Sequence, residues 1–523
     1  MQKANIADNC PIIVGVSQIT EAVPEDLKTA SSNADLAAQA AAAALLDAVA
    51  DTKAHTKDSG LAAHIDTIIY NRVFADSSPN YPNPFGVPNN LPRAVAKRIG
   101  ANPKRAIYPD VGGHTPQKLV NEIAESLANG DSKLALLTGA EVSKNVRAAV
   151  KQDVTLDWSE TIDGDMDDAE VNLFDMISKL EIQHGMDMPT LYYALLENAR
   201  RVRQQQSPDD YMQDMANTFS RFSNIAAHNP YANDHTEYDA EFIATPSDQN
   251  PLICTPYTRA LIAKESVNQG AAILMTTVKH AKELGIDNSK WVYLHGYCDV
   301  KDRVLLERPE LGHSRALQQV LLGALANADK SSTEIEYFDI YSCFPTVVTQ
   351  TRDALGIAAD DPRPLTQTGG LPFFGGPGNN YSMHGIASTV EALRQNPDTF
   401  GLVLANGGFL SKFSAGVYST KAIETWSASS SSAYQDAVDN EPKAEVENTP
   451  DGAATIETYT VHYLKGSPVR AIIIGSMKES AKRFYALIRK EDSDTMQHLI
   501  NEDAIGHSIV VESHPKGNSI RFS

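Results

Sequence analysis

The sequence predicts an α/β fold built from two related halves and followed by a small β domain. Three observations carry this. Strand-like and helix-like segments alternate through the first 145 residues, and the same rhythm returns from about residue 292. Each stretch holds a glycine-rich turn that opens a helix, Gly112-Gly113 in the first and Gly375-Gly376-Pro377-Gly378 in the second. Residues 454–523 then change to alternating, strand-like patterns. Strands separated by helices imply crossover connections and a sheet with parallel pairs, buried on both faces.

The elements follow in order. Ile12–Val16 is a buried strand, and the alanine-rich stretch Leu36–Ala50 is a tightly packed helix capped by Asn33 or Asp35. Strands are expected at Ile65–Val73, Arg105–Val111 and Leu134–Val142, with helices at Leu91–Ile99 and about Thr115–Ala128. In the second half Val292–Gly296, Ile335–Tyr341 and Gly401–Leu404 are strands, and His313–Ala328 and Val347–Leu355 are helices. Residues 146–265 form an insertion over the active-site side, with an acidic run at Asp153–Glu170 and a helical region from Pro189 to Ala227. The serine run Ser427–Ser432 begins a linker, 426–453, and strands at Thr455–Tyr463, Arg470–Ser476, Arg483–Arg489 and Ser508–Ser513 make the appended domain. The units expected are 1–145, 146–265, 266–425 and 454–523.

Composition narrows the function. The 523 residues carry 45 Lys and Arg against 66 Asp and Glu, a net charge of −21, which argues against nucleic-acid binding and against an anionic membrane surface. Apolar residues make up 42%, the range of a folded globular chain rather than a disordered one. Cys10, Cys254, Cys298 and Cys343 form no CxxC pair, so no disulfide framework and no metal site are expected, and a reducing cytoplasm fits. The start of the chain shows no targeting pattern, and Gln39 and Asp47 interrupt the most apolar stretch, so no membrane span is expected. GxSxG, HExxH and GxxxxGK[ST] are all absent, and the glycine turn at 375–380 lacks the GxGxxG order of a dinucleotide site.

Four segments, in order, resemble the thiolase superfamily. VGGHTPQKLVNEI at 111–123, ending in Ala128-Asn129-Gly130, is similar to the turn and helix that present the thiolase nucleophile. SVNQGAAILMTT at 266–277 is similar to the family's DGAAA segment, and DIYSCF at 339–344 to its Asn-Glu-Ala-Phe or His-Asp-Cys-Phe motif. GGLPFFGGPGN at 369–379 resembles the Gly-His-Pro turn. The appended β domain makes the type-1 thiolase-like proteins the nearest match. The resemblance covers residues 10–420. It implies duplicated βαβαβαββ halves in a layered α-β-α-β-α core and an OB-like C-terminal domain. It also implies an acetyl-CoA acetyltransferase-like protein of lipid metabolism that takes coenzyme A or acyl-CoA as ligand, homodimeric through the first-half sheet edge or monomeric if that edge is covered.

The departures define the site. A thiolase uses a nucleophilic cysteine, a histidine base and a second cysteine. The resemblance puts the nucleophile at Gly113, or at Gly112 if the turn is shifted, the histidine at Gly376, the second cysteine at Ala405 and the water-holding residue at Tyr341. The standard reaction cannot run on these. Cys343, beside a predicted strand end, is either a replacement thiol or a small buried hydrophobe. His384 is either a displaced base or a packing residue, and His114 either contacts a thioester or is a loop histidine. Gly112, Gly113, Gly375 and Gly376 offer N–H groups for an oxyanion hole, or are simply tight turns. Arg200, Arg201 and Arg203 are candidates for the coenzyme A phosphates, or a solvated helix face. Cys254 reads as packing. Two functions remain open: an acyltransferase-class enzyme working through Cys343 or His384, and a catalytically degenerate acyl-CoA-binding protein.

Overall fold

In the computed structural model of the chain, residues 7–49, 60–77, 83–169, 171 and 177–522 are described; Ala50 and Glu170 lie outside them. The first half runs β1 (Pro11–Thr20), α1 (Asn33–Asp47), β2 (Thr67–Tyr70), α2 (Leu91–Ile99), β3 (Arg105–Tyr108), α3 (Thr115–Asn129) and β4 (Leu134–Val142). The insertion contributes α4 (Ser143–Lys151), β5 (Asp167–Asp168), α5 (Lys179–Gln183), α6 (Pro189–Arg203) and α7 (Pro208–His228). It ends in α8 (Ala240–Ala244), β6 (Leu252–Cys254) and β7 (Tyr257–Thr258). β8 (Asn268–Thr277) and α9 (Val278–Glu283) precede the second half: β9 (Val292–Lys301), α10 (Arg315–Asn327), β10 (Tyr337–Ile340), α11 (Pro345–Leu355), α12 (Tyr381–Gln395), β11 (Phe400–Gly407) and β12 (Lys412–Ser419). α13 (Ser432–Asp439) leads to the appended domain, β13 (Gly452–Leu464), β14 (Ser467–Met477), β15 (Arg483–Arg489), α14 (Ser493–Asn501), β16 (Ser508–Glu512) and β17 (Ser519–Phe522).

The duplication is visible in strand order. The main sheet reads β10-β11-β12-β9-β1-β8-β4-β2-β3-β5. In each half the second strand pairs in parallel with the next-to-last, which pairs antiparallel with the last, which pairs antiparallel with the first: β2-β4-β8-β1 and β10-β11-β12-β9. Within the sheet the halves join through β1 and β9, where Ile12 pairs with Tyr293 and Ile13 with Val292. The second half has no counterpart of β3; the glycine-rich segment before α12 takes its place. Segment 266–277, expected in the second half, is a correction: as β8 it lies between β1 and β4 and completes the first.

Three apolar cores build the layers. α1 and α2 cover the outer face of the first half. α3 and α12 lie between the two halves, with Leu119, Val120, Ile123, Met383, Ile386 and Val390 in one buried cluster. α10 and α11 close the outer face of the second half and share a core with the insertion. The alanines of α1 let it approach β1 closely: a Cβ on Gly15 would lie 2.2 Å from the carbonyl oxygen of Ala44. Its cap is Ser32, whose hydroxyl accepts from the Asp35 N–H while the Asp35 carboxylate accepts from the Ser32 N–H, not Asn33 or Asp35 alone.

The stretch expected as a bare linker is tied down. Ser429 Oγ accepts from the Tyr297 N–H at 3.3 Å and Ser431 Oγ from the Asp299 N–H at 3.0 Å, so the serine run follows β9 before α13 begins. The appended sheet runs β15-β14-β13-β16-β17, with β6 of the insertion paired to β13. Asn198 of α6 donates to the carbonyls of Thr255 and Tyr459, at 3.1 and 2.9 Å. Arg483, buried, donates to the carbonyls of Arg308 and Pro309 and to Glu457. No helix among the described residues is long and apolar enough to cross a membrane.

Candidate active site at the glycine turns

The fold brings both glycine turns together, as two helix N-termini from equivalent positions in duplicated halves must meet. Protein groups, however, occupy the meeting point. Gly112 N–H donates to Asn379 Oδ1 at 3.2 Å, and Ser382 Oγ donates to the carbonyl of Gly113. Asn380 Nδ2 donates to the carbonyl of Gly139 at 2.9 Å. The first turn of α12 is thereby sewn to the turn before α3 and to β4.

The nucleophile position itself is closed. A Cβ built on Gly113 would lie 2.2 Å from Tyr341 Oη and 2.6 Å from the carbonyl oxygen of Asn406. One on Gly112, whose φ is +141°, would meet His114 Nδ1 at 2.5 Å. A Cβ on Gly407 would meet the same nitrogen at 2.4 Å and Gly112 Cα at 3.2 Å. No side chain fits at either turn position without displacing Tyr341, His114 or backbone. At Gly376 the nearest atoms stand 3.4–3.5 Å away, ordinary contact distance, so the expected histidine position has room while the cysteine position has none. Of the four N–H groups expected to form an oxyanion hole, that of Gly112 is taken by Asn379 and that of Gly376 donates to the Lys264 carbonyl at 2.8 Å.

The proposed titratable set does not assemble. Cys343 is buried, receives the Asn406 Nδ2 donor at 3.7 Å, and its thiol is pushed up to about 12 by burial. His384 is fully buried on α12, where Nδ1 meets Gln18 Oε1 at 3.1 Å and the ring stands edge-on to Phe374. Burial lowers its pKa to about 3. His114 is also held near 3, by burial first and then by the charges of Lys412 and Lys118, so it is a buried neutral ring and not a solvated loop histidine. No hydrogen bond joins Cys343 to either histidine among the described residues.

Several residues that shape this site carry no motif of their own. Tyr193, on α6, reaches in from the insertion: its ring stacks on Phe344 with centroids 4.3 Å apart, and its hydroxyl accepts from Asn406 Nδ2 at 2.7 Å and from the Leu410 N–H at 3.1 Å. Asn406 follows Ala405 on β11, so the two side chains point to opposite faces of the strand. Asp339 is buried and accepts from the N–H of Gln367 at 2.9 Å, which orders the segment before the second turn. Glu141, buried under Gly378, is pushed up to about 8 by burial. An Asn or Tyr in a buried strand or helix carries no motif, so pattern alone could not mark these.

The arginines are corrected. Arg200 makes two hydrogen bonds to Asp353, both 2.9 Å, Arg201 two to Asp503, and Arg203 pairs with Glu310 at 3.1 Å. Arg200 and Arg201 are buried where the insertion packs against other units and are held there as structural ion pairs, while Arg203 forms an exposed surface pair. A cavity of about 340 Å³ between α6, α7 and α11 is lined by Arg200, Gln204, Tyr211, Asp214, Thr349 and Arg352. Arg352 Nε is buried there without a partner, and burial, then the charge of Arg200, lower its pKa. Seven residues along α6 separate Arg200 from Tyr193, about 10 Å.

Duplicated halves with two facing helix N-termini, a covering insertion and a closed nucleophile turn define a thiolase-fold protein without the thiolase cysteine. A family model for the thiolase-like protein type 1 additional C-terminal domain matches residues 434–516. A monomeric SCP2-thiolase-like protein type 1 from Mycobacterium smegmatis is 38% identical, with 99% of this chain and 100% of that chain covered and a TM-score of 0.84. The chain belongs to the SCP2-thiolase-like protein type 1 family. Human mitochondrial 3-ketoacyl-CoA thiolase in complex with CoA is 14% identical over 80% of this chain and all of that one, with a TM-score of 0.53. An acetyl-CoA acetyltransferase from Syntrophomonas wolfei is 16% identical over 79% of this chain and all of that one, with a TM-score of 0.55. These two share the fold. No curated protein matches the sequence.

The buried histidines make a pH prediction. A histidine held at about 3 in the fold and near 6.5 when unfolded contributes stability that is present above pH 6.5 and is lost as pH falls toward 3. Between pH 7 and pH 5 that loss is about 2 kcal/mol for His384. Glu141 acts in the opposite direction over the same range, so the comparison is between variants. Denaturant unfolding of His384→Gln at both pH values should show a pH-dependent loss smaller than that of the parent by about 2 kcal/mol; equal losses would contradict a buried neutral His384.

Proposed function

We propose that this protein binds a coenzyme A thioester without transferring its acyl group. The observation that carries the reading is the closed space at Gly113: the reactive end of a thioester has no nucleophile to meet there. The acyltransferase alternative would rest on Cys343, but a thiol near 12 leaves about one part in 10⁵ as thiolate at pH 7. The anionic end of the ligand fits better. The unpartnered Arg352 Nε lines a cavity, and a phosphate there would offset its desolvated guanidinium group. Arg352 would hold a phosphate, and α6, which borders the cavity and carries Tyr193, would guide the pantetheine arm toward the closed turn. A fold neighbour has been solved with CoA, which supports the ligand class.

The reading extends to context. An acyl-CoA ligand belongs to lipid metabolism, and the four free cysteines suit a reducing compartment such as the cytoplasm. We read the appended domain as OB-like, from its strand order, the helix between its third and fourth strands, and the Leu487 N–H to Asn518 carbonyl bond of 2.8 Å that draws β15 toward β17. We read the protein as a monomer. The outer edge of β3 is covered by β5, where Asp168 pairs with Arg72 and Asp167 lies 3.6 Å from Arg105, so insertion residues cover the edge through which thiolases pair.

Two measurements test this. Incubation with acetyl-CoA or acetoacetyl-CoA should give saturable binding by calorimetry, no release of free thiol and no added mass. Arg352→Ala should weaken the binding at least about tenfold. A covalent acyl adduct lost in Cys343→Ala would overturn the reading. Light scattering after gel filtration should give the mass of one 523-residue chain at micromolar concentration; a dimer would show that β5 does not protect the edge.

A further inference from the structure

The appended domain carries a side-chain cluster that neither the glycine turns nor the basic cavity uses. His498 lies in the last turn of α14, and Glu502 is the extended residue that ends the helix. His507 follows after a turn in which Gly506 adopts φ +87°. That turn is fixed from below: Gly506 N–H donates to the Ile456 carbonyl at 2.8 Å, and Ile456 N–H donates to the His507 carbonyl at 3.1 Å. β13 therefore holds the backbone that presents His507.

The three side chains converge. One ligand atom from each lies within 4.8 Å of the other two. His498 Nε2 stands 3.5 Å from Glu502 Oε2 and is buried without a hydrogen-bond partner. That spacing is too long for a good N–H to oxygen bond. It does match the edge of a tetrahedron around zinc, where bonds of about 2.0–2.1 Å set neighbouring ligand atoms about 3.4 Å apart. The remaining closure is about 1.4 Å at most, within the reach of a small χ rotation. The Phe522 ring, with its centroid 3.8 Å from that of His498, walls one side, and Glu502 is exposed on the other, which leaves a fourth position for water. Two imidazoles and one carboxylate form a borderline donor set suited to Zn²⁺ rather than to Ca²⁺ or Mg²⁺.

We propose that His498, Glu502 and His507 form a zinc site that ties the end of α14 to the start of β16. Its consequence reaches beyond the appended domain. Asp503, the next residue after Glu502, holds Arg201 of α6 through hydrogen bonds of 2.7 and 2.8 Å. The metal thus braces the turn through which the appended domain grips the insertion.

The full-length chain, freed of metal by chelator, would be titrated with ZnCl₂ by calorimetry and by thermal unfolding. The expected result is one Zn²⁺ per chain, a midpoint raised by a few degrees at saturating metal, and no response to the same concentrations of CaCl₂ or MgCl₂. His507→Gln should weaken binding at least about tenfold, and so should the exposed Glu502→Gln, which has no buried contact to lose on folding. The proposal is overturned if the parent protein shows no saturable binding, or if one-to-one binding survives in the His498→Ala/His507→Gln double variant.

Discussion

At the glycine turns the two halves of this molecule meet backbone against backbone. Gly112, Gly113 and Gly407 let the turn before α3 press against the end of β11, and the phenol of Tyr341 and the imidazole of His114 fill what space remains. The rest depends on that contact. It lets Asn379 and Ser382 at the start of α12 bond to the turn before α3, which fixes the central helix layer. It also makes the floor on which Tyr193 of the insertion rests, with its hydroxyl bonded to Asn406. Packing of this density resists any added atom, so the closed state is a property of the whole junction rather than of one missing residue.

The chemistry follows from the same burial. A thiol at Cys343 and imidazoles at His114 and His384 sit where water does not compensate charge, so each is held in its neutral form. Catalytic use would require the reverse: a cation or a helix end near the thiol, and a partner on each ring. Instead the Gly112 N–H before α3 donates to Asn379, and the Gly376 N–H before α12 to the Lys264 carbonyl. The cationic chemistry that remains lies in the cavity between α6 and α11, at Arg352. This separation is why binding without turnover is the reading the geometry favours.

Much of the fold was legible because burial and periodicity are local signals. β4 and α2 have the limits their patterns imply, Leu134–Val142 and Leu91–Ile99, since each is bounded by polar or glycine residues. The duplicated rhythm and the two turns were legible too, and so was the absence of the three thiolase catalytic residues. Other features depend on distant partners. β5 is two aspartates with no strand character, and it exists only because β3 offers an edge and Arg72 offers charge. α14 is short and polar, and its capping Asp492 was hidden in an acidic loop. The arginines of α6 looked like a free cationic face, because a sequence does not show that Asp353, Asp503 and Glu310 fold back onto them. β8 was placed in the wrong half because chain order and sheet order part where the insertion intervenes.

The most direct test of the closed junction is a double-mutant cycle between Gly113→Ala and Tyr341→Ala, measured by equilibrium unfolding. If Tyr341 fills the space a side chain at 113 would need, Gly113→Ala destabilises the parent protein by about 2–3 kcal/mol and costs at least about 1 kcal/mol less when Tyr341 is already truncated. The same cost in both backgrounds would mean that Tyr341 does not occupy the nucleophile position, and the account of a closed site would fail.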